Sequence, residues 1–94
     1  MFILDLSYIA PVEAADAHMD AHVAWLQQGY DSGMFLASGR KNPRTGGIIL
    51  ARGERAAVEA FCAADPFTQH RIAEYRITEA AVSRTAAGLE ALKG

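Results

Sequence analysis

The chain has 94 residues, the size of one domain, and 51% of them are apolar. A domain of this length buries only roughly 60–65% of the surface that its unfolded chain exposes, so a second copy would add burial. Nine basic and eleven acidic residues give a net charge of −2, which excludes the basic surface of a nonspecific nucleic-acid-binding protein. No apolar run is long enough to span a membrane, residues 1–8 do not resemble a signal peptide, and Cys62 is the single cysteine. These features predict a cytoplasmic protein that binds neither nucleic acid nor membrane.

The first half of the chain predicts a strand, a long helix and a second strand. Apolar residues alternate with other residues over positions 2–9, which is typical of a strand. From Val12 to Gly33 apolar residues recur every three or four positions, which predicts one amphipathic helix. The predicted apolar stripe of this helix is Val12, Ala15, Met19, Val23, Leu26 and Tyr30. The short apolar run 34–38 predicts the second strand, which ends at Gly39.

The second half predicts a strand, a helix, a strand and a tail. Residues 48–51 are the hairpin partner of the second strand, and residues 54–64 return to helical spacing. This helix ends at Asp65, because the residue before a proline is disfavoured in a helix, and Asp65 can cap a short turn from Pro66 to Thr68. Residues 72–79 alternate as a fourth strand, and the alanine-rich residues 83–94 predict a helical tail.

This order of elements predicts an α+β, ferredoxin-like βαββαβ fold, with a four-stranded antiparallel sheet and both helices on one face. We assign the domain to residues 1–82 and the tail to residues 83–94. The other face of the sheet is left without a cover, and the outer positions of the strands include isoleucines such as Ile3 and Ile9. A homodimer is therefore predicted, in which a second subunit covers that face.

His22 and Asp65 are the candidate catalytic residues. His22 lies about 60° from the centre of the predicted stripe at 100° per residue, so it is expected at the edge of the core, where an imidazole can act as a general base. Asp65 could orient that imidazole, as in other pairs of histidine and carboxylate. Each has a simpler interpretation. His22 could be a helix histidine without a chemical role, and Asp65 could be an N-cap only. Trp25, about 120° from the stripe centre, could close a pocket or an interface.

A metal site and a cofactor are not predicted. His18 and His22 are one helical turn apart, but Met19 follows the first histidine where zinc proteases have glutamate, and the sequence offers no clear third ligand beyond His70. Gly46-Gly47 lacks the lysine and hydroxyl residue of a phosphate-binding loop. Cys62 has helical spacing with apolar residues and is expected in the core.

A basic loop, residues 40–47, is the candidate binding segment for an anion. It carries Arg40, Lys41 and Arg44, and arginine can bind a carboxylate or phosphate through two hydrogen bonds. The simpler interpretation is a solvated loop. Ser38, at the end of the preceding strand, could donate a hydrogen bond to a ligand, or it could be an ordinary hydroxyl at a strand end. We predict Ser38, Arg40 and Arg44 as substrate-binding residues.

Several of these residues together resemble the YciI-like family. The resemblance rests on His22 with Leu26 one turn later, on Ser38-Gly39, and on Asp65-Pro66-Phe67 before the last strand, and it extends from Phe2 to about Glu79. It implies a ferredoxin-like subunit in a dimeric α+β barrel, with His22 and Asp65 in the active-site cleft and Ser38 nearby. It also implies an activity such as that of a relative that eliminates chloride from a hydroxylated ring, or of the isomerases and monooxygenases of this barrel class. Many members have Gly-Pro where this chain has Gly39-Arg40, which favours a more anionic substrate.

The sequence is compatible with two functions. The first is a cofactor-independent lyase or isomerase, in which His22 transfers a proton, Asp65 fixes its tautomer and the basic loop holds an anionic or hydroxyaromatic metabolite. The second is a non-catalytic domain that binds a small molecule or a partner in the same cleft.

Overall fold

The computed structural model describes all residues, from Met1 to Gly94. The elements follow the predicted order, and the helix that was expected to be continuous is divided into two. In chain order they are β1 (Phe2–Tyr8), α1 (Val12–Ala17), α2 (Met19–Asp31), β2 (Phe35–Arg40), β3 (Gly46–Ala51), α3 (Arg55–Ala63), α4 (Pro66–Gln69) and β4 (Ala73–Glu79).

The four strands form one antiparallel sheet in the order β2-β3-β1-β4. This is the ferredoxin-like arrangement, so the predicted fold class is confirmed. Phe2, Leu4 and Leu6 of β1 are buried on the side that carries the helices. Gly46 has a φ of +152°, and a Cβ atom there would lie 1.8 Å from the carbonyl oxygen of Leu6. Only glycine therefore lets β3 begin this close to β1.

An irregularity in β2 determines which of its side chains face the helices. The register between β2 and β3 shifts between Phe35 and Ala37, so that Ser38 pairs with Ile49 and Arg40 pairs with Gly47. Directly paired residues lie on the same face of an antiparallel sheet, and Ile49 belongs to the core on the helix side. The bulge therefore turns Ser38 and Arg40 toward the helices.

The core is divided into two clusters along the sheet. The larger cluster joins Trp25, Phe35 and Val58 to one end of β1 and β3. The smaller cluster joins Ala15, Phe67 and Ile72 to the other end. Asp65 is buried as deeply as the apolar core residues.

The predicted stripe of the first helix is correct in part, because Ala15 is buried and Met19, Leu26 and Tyr30 pack against the core. The buried residues of α2 are His22, Trp25 and Gly29, whereas Val23 is half exposed. Gly29 is buried because the Phe35 ring occupies the space of a side chain, since a Cβ atom there would lie 2.2 Å from that ring. His22 thus lies on the buried side of α2, with a small part of its ring still exposed. Trp25 is a buried core residue whose Nε1–H donates to the carbonyl of Phe61 at 2.9 Å.

Two other predictions about helices are also corrected. The continuous helix from Val12 is interrupted at His18, whose φ and ψ of −113° and 12° leave the helical region, and the His18 ring stacks on His70 instead. The tail forms only a 3-10 turn at Glu90–Leu92. Most of the tail is exposed, so its helical propensity is not supported by packing. None of the helices is long and apolar enough to cross a bilayer.

Candidate active site

The centre of the candidate site is a hydrogen bond between His22 on α2 and Asp65 at the start of α4. The distance from His22 Nδ1 to Asp65 Oδ1 is 2.9 Å. The Asp65 side chain is fully buried, whereas 11% of the His22 side chain is exposed. The structure therefore brings together the two candidate catalytic residues, and only the imidazole of the pair reaches the surface.

Asp65 accepts three hydrogen bonds from three different elements. Besides His22, the backbone N–H of Phe67 donates to Oδ1 at 2.9 Å, and the hydroxyl of Tyr75 donates to Oδ2 at 2.6 Å. An ionised carboxylate offers only acceptors, and three donors match it. Because such a carboxylate cannot donate, Nδ1 of a neutral His22 carries the proton and Nε2 is the acceptor.

The sequence Asp65-Pro66-Phe67 explains why a carboxylate lies here. Proline is favoured at the first position of a helix, and the residue before it adopts an extended conformation, so α3 ends and α4 begins at this point. Asp65 is the N-cap of α4, as the sequence predicts. The oxygen that caps α4, Oδ1, is also the oxygen that faces His22. Capping and orientation of the imidazole are therefore compatible in one carboxylate.

Two aromatic rings hold the imidazole of His22. Its ring is parallel to that of Phe67, with an angle of 2° and a distance of 4.0 Å between ring centroids. Trp25 stacks at 5.5 Å. Packing of this kind limits rotation of the imidazole and keeps water away from the hydrogen bond to Asp65.

A cleft of about 190 Å³ lies between α2 and the hairpin of β2 and β3. His22 lines it from the helix, and Ser38 and Arg40 line it from the strand. The apolar lining is Leu6, Tyr8, Met19, Val23, Leu26, Ile48, Ile49 and Phe67. Nδ1 of His22 is occupied by Asp65, and Nε2 has no hydrogen-bond partner within the chain. Nε2 is therefore the nitrogen that a molecule in the cleft could reach.

Ser38 does not stand alone at the cleft. Its Oγ and the hydroxyl of Tyr30, on the last turn of α2, are 2.6 Å apart and share a hydrogen bond. Each hydroxyl can donate and accept, so the pair retains a free donor or acceptor for a ligand.

The basic loop has only one unpaired cation at the cleft. Arg40 lines the cleft, and its guanidinium makes no hydrogen bond or ion pair within the chain. Lys41 pairs with Asp5 and donates to Ser7 at 2.9 Å, on the face of the sheet away from the helices. These two neighbours therefore act on opposite faces of the sheet.

Arg44, contrary to the prediction, does not line the cleft. Its guanidinium donates to Asp16 on α1 at 2.7 Å, and it lies 6.0 Å from the centre of the Tyr8 ring. The hydrogen bond to Asp16 raises the pKa of Arg44 further above its ordinary value. Asp16 is 28 residues away in the sequence, so the local charge count of the loop did not reveal this partner.

Two neutral groups lie close to Asp65. Burial, and then the charge of Asp65, raises the pKa of the Cys62 thiol to about 12, so Cys62 is a core thiol and not a nucleophile at neutral pH. Burial, the charge of Asp65 and its hydrogen bond also raise the pKa of Tyr75 far above its ordinary value.

The three histidines do not converge. His22 faces Asp65, whereas the rings of His18 and His70 stack with a centroid distance of 4.1 Å and an angle of 23°. The chain has no group of three or more histidine, cysteine, aspartate or glutamate side chains placed to hold a metal ion.

Sequence reasoning missed Tyr75 and Phe67 as parts of the site. Tyr75 was interpreted only as a strand residue, and Phe67 only as part of a turn. The alternation of β4 does place Tyr75 and Ile77 on one face, and that signal could have indicated that the hydroxyl of Tyr75 points among the helices. The sequence pattern does not show that Asp65 is the hydrogen-bond partner of Tyr75.

Comparisons with known proteins agree with this architecture. The profile of the YCII-related domain matches residues 1–81. Among solved structures, 5-chloro-2-hydroxyhydroquinone dehydrochlorinase (TftG) from Burkholderia phenoliruptrix AC1100, in complex with 2,5-dihydroxybenzoquinone, superimposes with a TM-score of 0.69 and 17% identity. The match covers 84% of this chain and 92% of the dehydrochlorinase. At this identity the likeness shows the fold alone. No curated protein matches the chain in sequence.

Proposed function

We propose that this chain, which belongs to the YCII-related domain family, is a cofactor-independent lyase or isomerase that transfers a proton on a small anionic or hydroxyaromatic metabolite. The observation that carries the proposal is the state of His22. Its Nδ1 is fixed by a buried carboxylate, while its ring lines a cleft of about 190 Å³ and its Nε2 has no hydrogen-bond partner within the chain. An imidazole held in one tautomer with a free acceptor nitrogen is suited to general base catalysis.

His22 takes a proton from the substrate through Nε2 in the proposed reaction. The electron pair left on the substrate forms a double bond, and either a leaving group departs as an anion or the proton returns at another atom. His22 becomes an imidazolium, which the charge of Asp65 stabilises from the side away from the cleft. Neither outcome requires an oxidant, a reductant or a metal ion as co-reactant.

Arg40 and Ser38 bind the substrate in this proposal. Arg40 is the unpaired cation of the cleft and can donate hydrogen bonds to a carboxylate or phenolate, and Ser38 offers a hydroxyl beside it. The remaining lining is mostly apolar and fits the body of a small organic molecule. The dehydrochlorinase of similar fold, whose structure contains a dihydroxybenzoquinone, supports a role in processing such molecules.

We further propose that the chain acts as a homodimer in the cytoplasm. Ile3 and Leu50 lie on the face of the sheet away from the helices, and they are half-buried in the single chain. A second copy can cover this apolar centre. The free thiol of Cys62 is consistent with a reducing compartment.

Light scattering tests the dimer. We expect twice the 10.1 kDa mass of one chain. Leu50→Glu, at the centre of the open face, should give the monomer, whereas Ala57→Glu on the exposed side of α3 should leave the mass unchanged. A mass near 10.1 kDa for the wild-type chain at all concentrations would contradict the proposal.

A ligand screen tests the catalytic proposal. Small carboxylates and hydroxylated aromatic compounds are screened by thermal shift, because a ligand of the native state raises the melting temperature. Each hit is then incubated with the wild-type chain and with His22→Ala, and the products are identified by mass spectrometry. Turnover by the wild-type chain only is the expected result. Binding without turnover of any hit would favour the non-catalytic binding domain.

A further inference from the structure

Tyr75 is connected to the candidate site without lining its cleft. It is on β4, and its hydroxyl donates to Oδ2 of Asp65 at 2.6 Å. The residues around the cleft include His22 but not Tyr75. A molecule in the cleft therefore meets the imidazole, whereas Tyr75 meets only the carboxylate behind it.

We propose that Tyr75 is a positioning residue, which holds the Asp65 carboxylate in the one orientation that keeps the proton of His22 on Nδ1 and leaves Nε2 free toward the cleft. The proposal rests on the function proposed for His22, and it adds a third member to the pair of His22 and Asp65. It assigns Tyr75 no contact with the substrate.

The distribution of hydrogen bonds on Asp65 supports this role. Oδ1 accepts from both His22 and the backbone of Phe67, and Tyr75 is the donor to Oδ2. Because the Asp65 side chain is fully buried, water does not replace that donor. Without the hydroxyl of Tyr75, Oδ2 has no donor, so rotation of the carboxylate toward the donors of Oδ1 becomes favourable. The geometry of the hydrogen bond from Nδ1 to Oδ1 is then no longer fixed.

Tyr75 is suited to remain a donor. Burial and the nearby charge of Asp65 raise its pKa far above the ordinary value, so the phenol keeps its proton throughout the neutral range. A neutral hydroxyl can stabilise the negative charge of the carboxylate without cancelling it. Asp65 therefore stays available to stabilise an imidazolium at His22.

Tyr75 also separates Asp65 from solvent on the side away from the cleft. An open groove between α3 and β4 is lined by Tyr75 together with Cys62 and Ile77. The ring of Tyr75 is half-buried there, and its hydroxyl points inward to Asp65. Removal of the hydroxyl alone and removal of the whole ring are thus different perturbations, since only the second would admit water to the carboxylate.

The first test observes His22 in the free protein, so it requires no substrate. In chains labelled with ¹⁵N at histidine, His22 of the wild type should show one neutral tautomer, with a slowly exchanging proton on Nδ1. Tyr75→Phe keeps the ring and should give a mixture of tautomers, or exchange of the Nδ1 proton at least about tenfold faster. Tyr30→Phe is the matched control, because its hydroxyl bonds to Ser38, and it should leave the His22 signals unchanged.

The second test uses the substrate found in the ligand screen. Tyr75→Phe should lower kcat about tenfold with little change in KM, because Tyr75 acts on His22 and not on the bound molecule. An unchanged tautomer, exchange rate and kcat in folded Tyr75→Phe would overturn the positioning role. If no substrate is turned over, the proposed function fails, and the tautomer measurement still decides the role of Tyr75.

A second variant protects the test against misfolding. If Tyr75→Phe does not fold, 3,5-difluorotyrosine is incorporated into a chain that carries Tyr8→Phe and Tyr30→Phe, so that Tyr75 is the labelled residue. The fluorinated phenol is a stronger donor and draws charge from Asp65, so the Nδ1 proton of His22 should resonate upfield. A resonance that does not move would overturn the proposal.

Discussion

The charged groups of the buried pair, His22 and Asp65, have a different environment from those of the basic loop. The carboxylate of Asp65 is buried, and its donors come from α2, α4 and β4, so its charge is directed at one imidazole. The charges of the loop lie at the surface, and Arg44 and Lys41 pair with Asp16 and Asp5 of their own chain. Only Arg40 remains for a ligand. A run of like charges therefore indicates a site less reliably than one carboxylate that is buried with its donors.

Turnover should depend on the buried pair most strongly. His22→Ala and Asp65→Asn are each expected to lower kcat/KM of the reaction found in the screen by at least about a thousandfold. The double variant should lose little more, because the two groups act as a unit. Steady-state kinetics on folded variants measure this, and circular dichroism verifies the fold. Losses that simply multiply in the double variant would show that the two side chains act independently.

The free energy of unfolding should also depend more on the buried pair than on the basic loop. Asp65→Ala leaves three donors without an acceptor and removes the cap of α4, so we expect the free energy of unfolding to fall by about 3 kcal/mol. Asp16→Ala breaks only the exposed ion pair with Arg44, and its effect should not exceed the experimental error. Urea unfolding of both variants makes the comparison. Equal losses would mean that burial of the Asp65 carboxylate adds nothing to the fold.

Substrate affinity should separate the arginines of the loop. Arg40→Gln is expected to raise KM for an anionic substrate about tenfold, because it removes the unpaired cation of the cleft. Arg44→Gln is the matched control and should leave KM unchanged, since Arg44 pairs with Asp16. Both are measured at low and high salt. A larger effect of Arg44→Gln would place the anion on the other side of the loop.

The strands and the cap of α4 could be predicted because their signals are local. Alternation over β1 reports directly which side is buried, and Asp65-Pro66 marks a helix boundary by steric rules that need no tertiary structure. The existence and order of the elements follow from such signals. The burial of Asp65 does not follow from local signals, because it depends on hydrogen-bond donors from three elements that are distant in sequence.

The orientation of α2 shows why the rest was not predictable. Its buried side contains His22, which Asp65 satisfies, and Gly29, against which Phe35 packs. An analysis of hydrophobic periodicity treats histidine as polar and glycine as neutral. It therefore predicts Val23, and not His22, on the buried side of the helix. The error arises at the functional site itself, where a buried polar residue departs from the pattern.

Alkaline pH should reveal the neutral groups that surround Asp65. The pKa of Cys62 is raised from 9.0 to about 12 in the folded chain, mainly by burial, so the folded state retains a proton that the unfolded state releases. The contribution of the thiol to the free energy of unfolding is therefore fully present below about pH 9 and is lost as the pH rises toward 12. The loss for this group is about 1 kcal/mol between pH 9 and 10. Tyr75, whose pKa is also raised, adds to the decrease above pH 10.

Cys62→Ala isolates this contribution. The variant is expected to be less stable at neutral pH because of the cavity, but its stability should decrease about 1 kcal/mol less than that of the wild type between pH 9 and 10. Arg44 provides the contrast from the basic loop. Its pKa is raised further from an already high value, so Arg44→Gln should have the same pH dependence as the wild type over this interval. Urea unfolding under reducing conditions at each pH measures all three. If Cys62→Ala follows the wild-type curve, the alkaline loss of stability does not come from the thiol and belongs to other groups such as Tyr75.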